Sequence, residues 1–278
     1  MAEFRIQGAG VTLAGEDAGE GVPIVLLHGL TATRRYVVMG SRSLERSGHR
    51  VISYDARGHG RSSPGPAPDA YTYELLADDL ELVLDSLSIE RAVLAGVSMG
   101  SHTILRLALR APERVAGLVV ITPAYNGAEA TTGARIERWD QLSDALREGG
   151  VEAFIDVYGS SGIASPRLAE TVRTVIRQRM ALHEHLDALA DALASVPRST
   201  PFAEVGDLAA VKAPTVVIGS SDAADPEHPF AVAQAYSETI PNARLLTEKP
   251  GSSPLAWQGS QVSKIIAEVA AAAERAAI

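Results

Sequence analysis

Five short apolar runs, separated by longer segments, constrain the fold of this chain more than any other feature. They cover residues 23–27, 50–54, 92–97, 115–121 and 214–218. Each run is rich in valine, isoleucine or leucine without polar alternation, which is typical of a strand covered on both faces. Amphipathic helical patterns, such as the one over 75–87, lie between them. The sequence therefore predicts an α/β fold with an open, mostly parallel sheet and right-handed helical crossovers.

The two ends of the chain extend this pattern. Phe4 and Ile6, followed by Val11 and Leu13, alternate with polar residues and predict an antiparallel hairpin at the sheet edge. Near the carboxyl terminus we expect a helix over 230–239, a last strand over 243–247 and a closing amphipathic helix. The expected sheet has about eight strands, with helices on both faces.

The alternation of predicted strands and helices stops between about 126 and 200. This stretch has helical periodicity, no strand pattern, and turn-prone residues at both ends, among them Asn126, Gly127, Pro197 and Pro201. We therefore interpret residues 1–125 and 201–278 as one α/β core. Residues 126–200 are expected to form a helical cap over one end of the sheet.

Composition excludes several functional classes. The chain has 25 basic and 34 acidic residues, a net charge of −9, and no basic tract, so nucleic acid and anionic membranes are poor partners. It has no cysteine, which excludes disulfides and cysteine nucleophiles. Residues 1–20 carry five charged side chains and so contain no apolar core of a signal peptide, and the longest apolar runs, such as 115–121, are too short to span a membrane. We therefore expect a cytoplasmic protein. No metal or cofactor motif is apparent, and Gly8-Ala9-Gly10 is too incomplete for a dinucleotide loop. The oligomeric state, monomer or homo-oligomer, is left open.

The motif Gly96-Val97-Ser98-Met99-Gly100 lies directly between a predicted strand and a predicted helix. A G-x-S-x-G sequence in that context is typical of a nucleophile elbow, a turn so tight that glycine is needed two positions before and two positions after the serine. The amino terminus of the following helix favours the negative charge that develops during attack. Ser98 is therefore the predicted nucleophile.

Two further motifs accompany the elbow. His28-Gly29-Leu30 ends the first central strand, and the backbone amides of Leu30 and Met99 are predicted to form an oxyanion hole. Residues 55–62 read DARGHGRS after the next strand. With these three motifs in order, the chain resembles the α/β-hydrolase superfamily. It is most similar to capped bacterial serine hydrolases: esterases, perhydrolase-type bromoperoxidases, lactonases and carbon–carbon bond hydrolases.

The resemblance implies the rest of a catalytic triad. In this superfamily the acid follows the first strand after the cap, which points to Asp222, with Asp225 as the alternative. It also implies that the 55–62 loop, including His59, is structural. The catalytic histidine of the superfamily follows the last strand, but Ser252 stands at that position here, within the sequence KPGSSPLAW.

A serine hydroxyl is not basic enough to accept a proton near neutral pH. Losing the base of a serine hydrolase costs about a million-fold in turnover, or about 8 kcal/mol. We therefore expect a protein that is inactive or severely impaired as a hydrolase. Three explanations of Ser252 remain open: an inactivated variant, a natural protein that has abandoned hydrolysis, or rescue by an unorthodox base.

His228, after the acid loop, is the most serious candidate among the histidines for such a base. His102 is expected to point away from the elbow, and His183 and His185 are expected to be solvated on a cap helix. His28, Tyr125 and Trp257 are the candidate substrate contacts, although packing is the alternative for each. The sequence thus predicts a serine hydrolase scaffold for a small ester, lactone or related acyl substrate. A non-hydrolytic or ligand-binding member of the same fold is the alternative.

Overall fold

The computed structural model describes residues 1–8, 10–127, 133–159, 166–221 and 227–276, without the side chains of 166–169 and 276. Eight strands form one sheet in the order β1-β2-β4-β3-β5-β6-β7-β8. The strands are β1 (Ala2–Gly8), β2 (Val11–Ala18), β3 (Val22–Leu27), β4 (His49–Tyr54), β5 (Ala92–Val97), β6 (Val115–Ile121), β7 (Thr215–Ile218) and β8 (Arg244–Leu246). The pairs β1–β2 and β2–β4 are antiparallel, and the others are parallel. The predicted fold class is confirmed.

Eight helices accompany the sheet in the described residues. They are α1 (Ser43–Arg46), α2 (Tyr73–Ser86), α3 (Met99–Arg110), α4 (Ala134–Gly159), α5 (Pro166–Met180), α6 (Leu186–Ser195), α7 (Phe230–Thr239) and α8 (Gly259–Ala276). Gly150 interrupts α4 with a φ of 66°, a value that glycine adopts without steric cost. None of the described helices is long and apolar enough to cross a membrane.

The central strands do not alternate between apolar and polar residues because an apolar layer covers each face of the sheet. In β3, Val25 and Leu27 pack in the layer that includes α2, α3 and α7. Ile24 and Leu26 point to the opposite face, where they pack with α8. Because successive side chains of a strand point to opposite faces, a strand buried on both sides must be apolar throughout.

Helices α4, α5 and α6 follow β6 and form a third apolar cluster. Trp139 and Phe154 of α4 and Leu189 of α6 belong to this cluster, together with Leu30 and Met99 from the core. Leu30 follows β3 and Met99 follows β5, so the three helices pack at the carboxyl ends of the parallel strands. In α/β sheets that edge is where ligands bind.

Candidate active site

Ser98 occupies a strained turn between β5 and α3. Its φ and ψ are 49° and −111°, in a region that non-glycine residues rarely adopt. A methyl group on Gly96 would overlap the Gly100 carbonyl, and one on Gly100 would overlap the Leu27 carbonyl. Both glycines are therefore required by the close passage of the backbone, as in a nucleophile elbow.

His228 lies against the Ser98 side chain. Its Nε2 is 2.9 Å from Ser98 Oγ, and the two residues are 130 positions apart in the sequence. His228 is half-buried in the connection from β7 to α7, two residues before α7 begins. A serine hydroxyl at hydrogen-bond distance from an imidazole is the geometry required for nucleophile activation.

Of the other two predicted members of the triad, Ser252 lies within the described residues and the acid does not. The Ser252 side chain is exposed, and its amide donates to the Lys249 carbonyl at 2.9 Å. No hydrogen bond among the described residues joins Ser252 to Ser98. Asp222, and its alternative Asp225, lie outside the described residues.

Glu248, which follows β8, organises the start of the β7–α7 connection. Its Oε1 accepts hydrogen bonds from the Ser221 amide at 2.8 Å and from the Ser221 hydroxyl at 3.0 Å, and its Oε2 accepts from the Leu255 amide. Burial by itself would raise the pKa of Glu248, but these hydrogen bonds outweigh burial and lower the pKa to about 2. Glu248 is therefore ionised and links the connections that follow β7 and β8.

The predicted oxyanion donors lie on either side of the elbow. A methyl group built on Gly29 would be 3.5 Å from Ser98 Cβ, so the turn that carries Leu30 lies against Ser98. Met99 is the first residue of α3. Within the described part of the chain, no residue accepts a backbone hydrogen bond from the amide of Leu30 or Met99. Both amides can therefore donate to a developing oxyanion.

His28 supports this turn through the hydrogen bonds of its ring. It is buried, its Nδ1–H donates to the Gly29 carbonyl at 2.8 Å, and its Nε2 accepts from the Ala56 amide at 3.0 Å. Burial, followed by the charge of His59, lowers the pKa of His28 to about 4. With both ring nitrogens engaged, the geometry favours the packing interpretation of His28 over a substrate contact.

His183 corrects an expectation made from the sequence. It lies in the turn between α5 and α6 and is buried, rather than solvated on a helix. Its Nδ1 accepts from the Gly60 amide at 3.0 Å, and its ring packs on that of His59, whose Nε2 is 2.6 Å from the Leu30 carbonyl oxygen. Burial lowers the pKa of His183 to about 2. The helical periodicity at Leu182 and Leu186 did not reveal that a turn separates these residues.

His102 is buried one turn into α3 and does not contact the Ser98 side chain among the described hydrogen bonds. Its Nε2 accepts from the amides of Ala124 and Tyr125, both at 3.2 Å, and its Nδ1 lies 3.0 Å from the Tyr73 hydroxyl. Burial lowers the pKa of His102 to about 3, and the charges of Arg135 and His228 contribute further. A neutral ring here orders the segment that follows β6.

The two aromatic candidates differ in exposure. Tyr125 is buried, its ring packs edge-to-face on Phe202 at 5.0 Å, and its carbonyl accepts from the Tyr236 hydroxyl at 2.6 Å. These contacts favour packing as its role. Trp257 is 55% exposed in a short 3₁₀ helix after β8, so it is not a core residue.

The described residues contain no cluster of three or more histidine, aspartate or glutamate side chains that could hold a metal ion. The buried rings of His28, His59 and His183 already use their nitrogens for hydrogen bonds to the backbone.

Comparisons with known proteins identify the class to which this fold and elbow belong. The profile of the alpha/beta hydrolase fold family matches residues 22–156. The 2-hydroxy-6-oxononadienedioate/2-hydroxy-6-oxononatrienedioate hydrolase 2 of Pseudomonas putida is 31% identical over 212 residues, which cover 73% of this chain and 72% of the relative. The chain belongs to the alpha/beta hydrolase fold family.

Solved structures agree at the level of the fold. A hydrolase from Pseudomonas aeruginosa PA01 is 26% identical, with a TM-score of 0.71 over 88% of this chain and 89% of that one. A structure from Nitrososphaera gargenis, described in work on carboxylesterases, has a TM-score of 0.78 over 99% of both chains. It is 22% identical, so it shows the fold alone. Structures described as a thermophilic esterase from Thermogutta terrifontis and as an enol-lactonase from Burkholderia xenovorans LB400 share the fold, at 24% and 23% identity.

Proposed function

We propose that this protein is a serine hydrolase for a small ester, lactone or related acyl compound, with Ser98 as nucleophile and His228 as general base. The observation that carries the proposal is the 2.9 Å distance between Ser98 Oγ and His228 Nε2. An imidazole nitrogen can accept a proton from a serine hydroxyl near neutral pH, whereas another serine hydroxyl, such as that of Ser252, is not basic enough to do so. The contact supports the third explanation of Ser252, in which the base comes from elsewhere in the chain.

The first half of the proposed reaction forms an acyl-enzyme. Ser98 Oγ attacks the substrate carbonyl carbon while His228 Nε2 takes the hydroxyl proton. The amides of Leu30 and Met99 donate to the resulting oxyanion. When the tetrahedral intermediate collapses, the bond from carbon to the leaving oxygen breaks, and the His228 imidazolium returns the proton to that oxygen.

The second half hydrolyses the acyl-enzyme. His228 removes a proton from a water molecule as its oxygen attacks the acyl carbon. Collapse of the second intermediate breaks the bond to Ser98 Oγ, which recovers the proton from His228. The free acid leaves and the enzyme returns to its starting state.

The third member of the triad remains a sequence-based proposal. Asp222, with Asp225 as the alternative, precedes His228 in the same connection between β7 and α7. A carboxylate there would orient the imidazole and stabilise the imidazolium. We also propose that residues 126–200 act as a cap that shapes the acyl pocket and that the protein is cytoplasmic.

Hydrolysis of 4-nitrophenyl acetate, 4-nitrophenyl butyrate and δ-valerolactone tests the assignment. We expect the wild-type protein to turn these substrates over, and we expect His228→Ala and Ser98→Ala each to lose about ten-thousand-fold or more in kcat. The matched control is Ser252→Ala, which should retain activity within a few-fold. Circular dichroism and the melting temperature would establish that each variant folds.

The opposite pattern would favour the alternatives. A wild-type protein without turnover that gains several orders of magnitude from Ser252→His would be an inactivated hydrolase. If no variant turns over any substrate, a non-hydrolytic or ligand-binding role becomes the better interpretation.

A further inference from the structure

Arg135 is a half-buried cation near the proposed nucleophile. It lies in the first turn of α4, and its Nη1 donates to the Ala124 carbonyl at 3.3 Å. No carboxylate among the described residues forms an ion pair with Arg135. A shielded guanidinium without a counter-ion loses hydration that a single carbonyl acceptor does not replace.

The backbone places Arg135 beside the elbow. Ala124 comes three residues after the end of β6, and the Ile121 carbonyl at that end accepts a hydrogen bond from the Ser98 amide at 2.9 Å. The Ala124 amide donates to His102, one turn into the helix that Ser98 begins. The charges of Arg135 and His228 both act on the His102 ring and lower its pKa, which agrees with this placement.

Arg138, the next arginine on the same side of α4, is an example of a paired guanidinium in this region. Arg138 Nε lies 3.0 Å from Oε1 of Glu227, the residue before His228. Arg34 and Arg57, which are also shielded from solvent, contact Asp55 and Asp79 respectively. Arg135 therefore differs from these three arginines in having no carboxylate partner among the described residues.

We propose that Arg135 binds a carboxylate group carried by the substrate of the Ser98 site. A guanidinium can hold a carboxylate through two parallel hydrogen bonds, which fixes orientation as well as charge. The chain has a net charge of −9, so it offers no general attraction for anions. Selection of a substrate that carries a carboxylate would therefore depend on this local cation. The inference rests on the proposed hydrolase function and adds the chemical class of the substrate.

Two pairs of synthetic esters test the inference and locate the carboxylate. Mono-4-nitrophenyl glutarate carries it on the acyl chain, and the corresponding methyl ester is its neutral match. 4-Acetoxybenzoate carries it on the leaving group, and methyl 4-acetoxybenzoate is its neutral match. We expect wild-type kcat/KM to favour the charged member of one pair, and 0.5 M NaCl to reduce that preference.

Arg135→Gln should lower kcat/KM for the favoured charged ester by about ten- to a hundred-fold, and for its neutral match by less than about three-fold. Arg135→Lys should recover part of the difference. Arg147→Gln is the matched control, because Arg147 lies on the same helix and pairs with Asp191 at the surface. Equal losses on the charged and neutral esters, or no preference in the wild type, would overturn the inference while leaving the hydrolase proposal intact.

A binding measurement separates this inference from the hydrolase proposal. Calorimetric titration of Ser98→Ala with glutarate and with 4-hydroxybenzoate requires no turnover. Binding that disappears in Ser98→Ala/Arg135→Gln, with both variants folded by circular dichroism, supports the carboxylate site even if no ester is hydrolysed. If Ser98→Ala binds neither acid and the wild type hydrolyses neither charged ester, the carboxylate site is refuted.

Discussion

The buried ion pair between Arg57 and Asp79 holds the loop over 55–62, whose His59 contacts the Leu30 carbonyl. Both side chains are 1% exposed, and two hydrogen bonds of 2.8 Å join the guanidinium to the carboxylate. Arg57 also donates to the Ala70 carbonyl at 3.0 Å. Burial raises the pKa of Asp79, and the hydrogen bonds and charge of Arg57 oppose that rise. The carboxylate therefore depends on Arg57 as its compensating partner.

Arg57→Met would leave the Asp79 carboxylate buried without its partner. Breaking one side of a buried pair costs about 3–5 kcal/mol of unfolding free energy, mainly because the remaining charge is uncompensated. For a chain of this size, about 2–4 °C per kcal/mol converts this loss into a fall in Tm of roughly 6–20 °C. Urea unfolding at pH 7, followed by circular dichroism, measures the free energy directly.

The matched variant removes both charges. Arg57→Met/Asp79→Leu should regain most of the stability lost in Arg57→Met, because well-packed apolar residues can replace a buried pair at little cost. The reasoning would be refuted by a loss below about 1 kcal/mol in Arg57→Met, or by a double variant no more stable than the single one.

Three further predictions concern the site and its surroundings. Because burial lowers the folded-state pKa of His28 to about 4 and of His183 to about 2, the unfolded chain binds more protons below pH 6.5. Stability should therefore fall as the pH falls from 6.5 towards 4, by about 2 kcal/mol per histidine at pH 5, and equal urea midpoints at pH 7 and 5 would contradict this. Gly100→Ala, whose methyl group would meet the Leu27 carbonyl, should distort the elbow and lower kcat by at least ten-fold; unchanged ester hydrolysis would show that the turn tolerates a side chain. Arg138→Met should free Glu227 beside His228 and lower kcat several-fold with little change in KM, with recovery in Arg138→Lys; an effect on KM alone would argue against a positioning role.

The order of strands and the elbow could be predicted because their signals are local. The run at 115–121 is apolar throughout because both of its faces are covered, and β6 has these same bounds. The strands β3 and β4 begin one residue earlier than predicted, since the boundary residues are only partly buried and carry a weaker signal. Gly96 and Gly100 mark the elbow because only glycine fits where the backbone passes so close.

The family resemblance predicts the base at position 252, because the superfamily places its histidine after the last strand. The geometry instead brings His228 to Ser98 from the connection after β7. A signal was present in the sequence, since His228 follows the predicted acid loop. Sequence reasoning could rank it as a candidate but could not show that its ring reaches the serine hydroxyl.

By itself, the sequence determined the sheet, the strained turn at Ser98 and the absence of a histidine at position 252, because each depends on residues adjacent in the chain. Only the tertiary structure decided that His228 meets Ser98, that His183 is buried against the Gly60 loop, and that Arg135 lies near the elbow without a carboxylate partner among the described residues. The contacts of His228 and His183 join residues 130 and 123 positions apart in the sequence, and Arg135 reaches the elbow through the segment that follows β6. They depend on how the helices and connections pack over the carboxyl ends of the strands, which no local pattern encodes.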